Sequence, residues 1–160
     1  MRNMLLDFHI TSGFGIRTHP ITKKEHFHRG VDLVHPEKKV YAGISGIVTR
    51  SQFGDYGEGN YVQIKGAIEG TIFYVNNFHN KENLVEVGKE VSKNSYIAKM
   101  GQTGNTTGDH SHHEIFTYHI NSKFVKSLIK DGIYHKKIGN RIFFDPIMLY
   151  TYFEINNIRY

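Results

Sequence analysis

Two stretches, HFHRGVD at residues 26–32 and GQTGNTTGDHSHHE at residues 101–114, decide how the chain is read. Both place histidine at alternate positions, the period at which side chains of an extended strand share a face. In the first, His28 and Asp32 lie four apart with Gly30 between them, so all three point the same way and the glycine leaves space for an ion. In the second, a Gly- and Thr-rich turn leads into a strand. There His110, His112 and Glu114 share one face, while Ser111 and His113 take the other. A neutral imidazole and a carboxylate so placed, His28 and Asp32, can supply two of the three protein ligands that a catalytic zinc takes, and His112 can complete the set. His110 then sits one alternate position off, close enough to work on water at the ion without being a ligand.

Around these stretches lie short runs rich in β-branched and aromatic residues: Gly46 to Arg50, Asn60 to Lys65, Thr71 to Asn76, Ser95 to Met100 and His112 to Ile120. They predict strands of an antiparallel sheet, because turns such as Gly57-Glu58-Gly59 and Glu86-Val87-Gly88 leave little room for crossover helices. One short helix is expected near 122–131: Ser122 caps it, Phe124, Val125, Leu128 and Ile129 recur at helical spacing, and Asp131-Gly132 stops it. Ile138 to Phe144 resumes strand character around Gly139-Asn140. Asp145-Pro146 then turns the chain into an apolar segment, Ile147 to Phe153, and residues 138–153 are read as a terminal strand region. The expected fold class is mainly β, a single domain over residues 1–160 built on antiparallel sheet with an open groove. Its walls are expected to be the loops Pro20 to Phe27 and Gly54 to Gly59.

Composition narrows the chemistry. With 160 residues, 39% hydrophobic and 22% charged, and a mean hydropathy of −0.44, the chain has the balance of a folded globular protein. Cysteine is absent, so any metal must sit on His, Asp or Glu. The apolar start Met4-Leu5-Leu6 is interrupted by Asp7, far short of a signal-peptide core or a membrane span. A net charge of +5 and a pI near 9.3 favour polyanionic partners. No nucleic-acid-binding motif accompanies that charge, however, and Lys and Arg are scattered. The 11 His are the more informative count, because five of them fall in the two stretches quoted above.

The ordered motifs resemble the lysostaphin-type (LytM-like) zinc peptidases of bacterial peptidoglycan. Ser12-Gly13-Phe14-Gly15-Ile16-Arg17-Thr18-His19-Pro20 precedes the His-x-x-x-Asp pair His28 and Asp32. Ala42 to Val48 and Gly59-Asn60-Tyr61-Val62 follow, then the Gly101 to Glu114 motif, and Asp145-Pro146 closes the pattern. The motif core thus covers residues 12–114. The resemblance implies one zinc ion on His28, Asp32 and His112, with His110 and a second histidine as catalytic residues. For the second, members usually show Tyr-x-His, which points to Asn76 here, whereas the family spacing back from Gly88 lands on His79. The reading taken is His79. His26 shares a strand face with His28 and is the rival ligand. His113 and Ser111 stand where apolar residues are usual, which loosens the packing behind the site or widens its polar surroundings. Ile120 to Lys137 reads as an insertion bordering the groove.

The activity implied is endopeptidase cleavage of peptidoglycan stem or cross-bridge peptides. A three-ligand zinc lowers the pKa of water toward about 7 and polarises the scissile carbonyl. His110 is expected as general base and His79 to orient the water or stabilise the tetrahedral intermediate, the two roles being exchangeable. Glu114 is read as a hydrogen-bond partner behind the ligands. His19 is read as support for its turn, and His9, His35, His119 and His135 as solvated imidazoles. The partner expected is bacterial peptidoglycan, with no nucleic acid and no membrane span. The place of action is extracellular, in the cell wall or on a phage particle, although the chain carries no export address. The alternative is a catalytically silent cell-wall-binding or regulatory module on the same fold; such relatives lack one or more ligands, and all three are present here.

Overall fold

The computed structural model describes residues 7–19 and 22–160; Met4, Leu5, Leu6 and Pro20 lie outside the described residues. In chain order the elements are β1 (His9–Ser12), β2 (Gly15–Thr18), β3 (Glu25–His28), β4 (Val31–Val34), β5 (Lys39–Tyr41), β6 (Gly46–Gly54), β7 (Gly59–Ile68), β8 (Thr71–Asn83), β9 (Glu90–Val91), β10 (Tyr96–Met100) and β11 (Ser111–Thr117). There follow α1 (Lys123–Lys130), β12 (His135–Ile138), β13 (Arg141–Phe144) and α2 (Pro146–Ile155). The main sheet runs β1-β4-β11-β8-β7-β6-β9, and its paired strands are antiparallel. One edge of β11 is shared. Its first half pairs β4 and its second half pairs β13. β2 and β3 form a separate two-stranded sheet.

Alternation decides which face of the sheet is wet. Along β7 and β8, Val62, Ile64, Phe73 and Val75 are fully buried, while Gln63 between the first two and Lys65 after them are not. Each buried side chain of this size contributes about 1.5–3 kcal/mol of transfer free energy. The two helices cover the buried face: α1 with Val125 and Leu128, α2 with Leu149, Tyr150 and Phe153. Ser122 caps α1 by accepting from the Val125 N–H, as the sequence suggested.

The expected terminal strand region 138–153 is corrected. Strand pairing ends at Phe144 in the β12–β13 hairpin, and a second helix, α2, follows. Asp145 accepts from the amides of Ile147 and Met148 through its side chain, and Pro146 occupies the first turn, where a missing N–H costs nothing. An apolar run as short as Ile147 to Phe153 fits either a buried strand or a buried helix; the cap settles it locally. Phe153 packs against Phe124, Tyr150 and Tyr160.

The insertion also takes another place. Of Ile120 to Lys137, Val125, Leu128 and Ile133 enter the core, and Tyr134 meets Phe14 and Phe27 edge-on at 5.2 and 6.2 Å. The segment thus packs against the β2–β3 wall through Tyr134, and none of its residues is among those that line the cleft. Among the described residues no helix is long and apolar enough to cross a membrane.

Phe153→Ala should lower the free energy of unfolding by about 3–5 kcal/mol in urea titrations, the usual cost of removing a buried aromatic ring. Met148→Ala, on the exposed side of the same helix, should stay within about 0.5 kcal/mol of wild type.

Candidate metal centre

Register places the central residues. In the β4–β11 ladder Asp32 stands directly opposite His112, so two residues far apart in sequence become cross-strand neighbours. His28 arrives from the other sheet, at the end of β3, where it pairs with Gly15 of β2. The chain breaks strand between β3 and β4, and Gly30 lies in that break. A Cβ on Gly30 would lie 2.5 Å from the His113 carbonyl oxygen and 2.9 Å from His112 Nε2. The room that this glycine leaves is thus taken by the His112 imidazole and the β11 backbone, not by the ion.

His28 Nε2, His112 Nδ1 and Asp32 Oδ1 face one another: 3.0 Å between the two nitrogens and 3.2 Å from each to the carboxylate oxygen. The far side of each ring fixes what the near side offers. His28 Nδ1 lies 2.7 Å from the Gly13 carbonyl, which can only accept, so Nδ1 carries the proton and Nε2 presents a lone pair. His112 Nε2 lies 3.0 Å from Glu114 Oε2, so it donates there and Nδ1 presents its lone pair. As neutral imidazoles, the two rings and the carboxylate aim three lone pairs at one point. A tetrahedral ion with bonds of about 2.0–2.1 Å spaces its ligand atoms by about 3.3 Å, so the donor set fits zinc in chemistry and spacing. In the protein without an ion the same demand for positive charge falls on a proton. Burial opposes it, but the hydrogen bonds to Asp32 and Glu114 raise His112 to about 9.

Beneath the ligands lies a fully buried carboxylate. Glu114 receives Arg29 Nε at 2.9 Å and Asn76 Nδ2 at 2.9 Å besides His112, and Gln63 in turn donates to Asn76. Burial disfavours its charge, yet the His112 hydrogen bond, the Arg29 charge and the Asn76 amide hold it down to about 2.

Two further imidazoles stand over the triangle. His110 Nε2 is 3.6 Å from Asp32 Oδ1, and its Nδ1 is anchored on the Gly108 carbonyl at 3.0 Å. His79 Nδ1 is anchored on the Thr103 carbonyl at 2.9 Å, and its ring lies 4.9 Å from that of His110. Both rings therefore keep Nε2 as the acceptor. His79 reaches this position through a β-bulge: between Asn60↔Asn80 and Val62↔Asn77, Phe78 and His79 oppose Tyr61 alone. His79 accordingly adopts a left-handed φ of 70°, a cost of about 1 kcal/mol for a residue with a Cβ. The bulge turns His79 onto the face that Phe78 and Asn76 already share with His112 and Glu114. Burial lowers its pKa, which keeps the ring neutral, and the nearby imidazoles add to that.

All five residues named from the sequence thus meet in one cleft of about 880 Å³, and both expected walls contribute to it, with His26 and Phe27 on one side and Tyr56, Gly57 and Glu58 on the other. His26 stands apart from the three-residue cluster, its Nε2 accepting from Arg17 Nε at 2.7 Å. His19 Nδ1 accepts from the Thr22 amide within its turn. His35 is corrected: it is buried, accepts from the Glu37 amide and packs on Phe8. His113 does not loosen the packing behind the site. It is fully buried, with Asn77 Oδ1 at 2.6 Å and the Tyr150 hydroxyl at 2.7 Å on its two nitrogens. Sequence reasoning passed over Arg17, whose Nη1 reaches Asp32 Oδ2 at 3.3 Å, and Arg29. Both lie inside quoted motifs, but nothing in a spacing shows which way an arginine turns.

Comparison with known proteins places the chain in a family. Residues 26–126 match the sequence model of peptidase family M23. The peptidoglycan DD-endopeptidase ShyC of Vibrio cholerae is 34% identical over 112 residues, 68% of this chain and 25% of that protein. A zinc containing peptidase from Vibrio cholerae superposes with a TM-score of 0.58 at 33% identity, over 67% of this chain and 32% of that one. The catalytic domain of lysostaphin from Staphylococcus simulans does so with a TM-score of 0.61 at 25% identity, over 71% and 83%. The chain spans about a quarter of the length of ShyC.

Burial pushes His113 down to about 3, and the neighbouring His112 charge acts in the same direction. The unfolded chain takes up this proton below about pH 6.5 while the folded chain does not, so stability is lost as pH falls from about 6.5 toward 3. In chelator, urea unfolding of wild type should lose up to about 1.4 kcal/mol more per pH unit across that window than unfolding of His113→Phe.

Proposed function

The chain belongs to peptidase family M23, and we propose that it is a zinc-dependent endopeptidase that hydrolyses peptide bonds in the stem or cross-bridge peptides of bacterial peptidoglycan. Three lone pairs converging at 3.0–3.2 Å, each turned inward by a fixed hydrogen bond or register on its far side, carry the proposal. His28, Asp32 and His112 would hold the ion. Bound there, zinc supplies a Lewis acid for the scissile carbonyl and lowers the pKa of water toward about 7.

The remaining work falls to His110 and His79. Each has Nδ1 tied to a backbone carbonyl, so Nδ1 donates there and Nε2 is turned to the cleft. His110, beside Asp32 Oδ1, takes the proton of the attacking water. His79 accepts a second hydrogen bond from that water and so orients it, and either ring, once protonated, becomes a donor to the oxyanion or the leaving amine. The rings are close enough for these roles to be exchanged. Glu114 keeps the His112 tautomer, and Asn76 steadies Glu114 from below. A silent binding module has no use for two imidazoles anchored over a ligand triangle, one of them buried and at a left-handed φ. Family relatives that act on peptidoglycan, ShyC among them, point to the substrate. The surplus of basic residues suits an anionic wall polymer.

His28→Ala, Asp32→Ala and His112→Ala should each lose most of their zinc on dialysis, because two ligands hold a catalytic metal poorly; full occupancy in His112→Ala would remove it from the ligand set. Zinc should remain bound in His79→Ala and His110→Ala while wall digestion slows about 10²-fold or more, the usual scale for general acid–base catalysis. Asn76→Ala should keep its zinc and lose less rate than His79→Ala. Chelation should abolish cleavage reversibly, and activity should fall toward acid pH as ligands and base take up protons.

A further inference from the structure

We propose that Arg17 recognises a free carboxylate on the peptide, next to the scissile bond; this rests on the peptidase reading above. The side chain is already shaped for the task. Its Nε donates to His26 Nε2 at 2.7 Å, and Nη1 donates to Ser12 Oγ at 2.6 Å and Asp32 Oδ2 at 3.3 Å. Across the β2–β3 ladder Arg17 pairs with His26, so strand register and three hydrogen bonds hold the guanidinium in one orientation. Among the described residues Nη2 donates to no group, the side chain is 40% exposed, and it lines the cleft that holds the metal centre. A guanidinium fixed in this way, with the Nη2 N–H groups left over, offers a carboxylate a charge-assisted hydrogen bond from a preset position.

Charge balance points the same way. In the protein alone, Arg17 faces Asp32 and Arg29 faces Glu114, one guanidinium to one carboxylate in each pair. Once a divalent cation is held by His28, Asp32 and His112, the same group of residues carries two surplus positive charges. Arg29 carries its Nε on Glu114, behind the ligands, and its head lies 5.1 Å above the Phe143 ring, with the side chain 36% exposed. Arg17, held on the cleft wall by three hydrogen bonds, is the more firmly oriented of the two. The opposite wall offers Tyr56, Gly57, Asn105, Thr106 and Thr107, and its one acid, Glu58, accepts from the Tyr56 amide at 2.9 Å. A substrate anion is therefore drawn to the Arg17 wall, which orients the peptide across the metal centre. The carboxylate belongs either to a peptide C-terminus or to an acidic side chain beside the bond that is cut.

Four versions of one soluble cross-link peptide separate these sources: both carboxylates free, either one amidated, and both amidated. kcat and KM are measured on zinc-loaded wild type, Arg17→Gln and Arg17→Lys. Zinc content is measured alongside, and the Kd of fluorescent versions with a reduced, uncleavable bond is read by anisotropy. In wild type, amidating the recognised carboxylate should raise KM and Kd about 10- to 100-fold while kcat changes little, and the peptide that shows this names the source. In Arg17→Gln that difference should vanish with zinc retained, and Arg17→Lys, which keeps charge without the fixed guanidinium plane, should restore part of it. Equal weakening of all four peptides, or loss of zinc from Arg17→Gln, would show that Arg17 only steadies Asp32 and would overturn the proposal. If loaded wild type cuts none of the four, the peptidase reading fails instead. Kd then decides for Arg17 alone, and equal values for free and amidated peptides would overturn its role.

Discussion

Three lone pairs 3.0–3.2 Å apart repel one another unless a positive charge lies between them, and the fold is built to hold them there. None of the three is free to turn away. Gly13 fixes the His28 ring, Glu114 fixes the His112 ring, and the β4–β11 register fixes Asp32 against His112. Each of these supports costs something by itself. Glu114 is a carboxylate with no exposed surface, tolerable only because His112, Arg29 and Asn76 satisfy it. The stability of this part of the sheet and its affinity for a cation are therefore two faces of the same arrangement, since the cation relieves the repulsion that the hydrogen bonds impose.

The polar character of the site extends through the sheet. On the cleft side, His112, Glu114, Asn76 and Gln63 form one chain of hydrogen bonds across three adjacent strands. On the core side, His113 is clamped between Asn77 and the Tyr150 hydroxyl of α2, and a Cβ on Gly43 would lie 2.7 Å from its ring. A buried imidazole in a position suited to an apolar residue is stable here because both nitrogens are satisfied. The consequence is mechanical as well as electrostatic: β11, which presents the ligand, is tied through His113 to the C-terminal helix. A helix that a linear pattern read as strand thus becomes part of the support for the metal centre.

The walls of the cleft rest on aromatic packing. Phe14, Phe27 and Tyr134 meet edge to face with centroids 5.1–6.2 Å apart, and Lys136 lies over the Phe27 ring. This cluster packs the β2–β3 sheet, which carries both His28 and Arg17, so that His28 meets His112 and Asp32, and Arg17 meets Asp32, from outside the main sheet. Tyr56, 95% exposed on the facing loop, has no such anchor. One wall is rigid and carries charge, while the other is a loop tip of the kind that varies in shape at little cost to the fold.

What the sequence determined by itself is what a local period or a local cap can encode. Alternation placed His110, His112 and Glu114 on one face, and their flanking turns marked the strands; Ser122 and Asp131-Gly132 bounded the first helix, because capping is a contact within four residues. Antiparallel sheet followed from short runs punctuated by turns, and an open groove from the polymer substrate that the family resemblance implies. Contacts between distant segments were decided only by the tertiary structure. The seat of Pro146–Ile155 depends on packing of Tyr150 and Phe153 against Tyr160 and Phe124. The position of His79 depends on one extra residue in β8, a slip that exists only against β7. The inward lone pairs depend on the Gly13, Thr103 and Gly108 carbonyls, which every residue possesses and no motif can mark. Residue type states what a side chain can donate or accept; only the packed neighbour on its far side fixes which of its atoms is left to act.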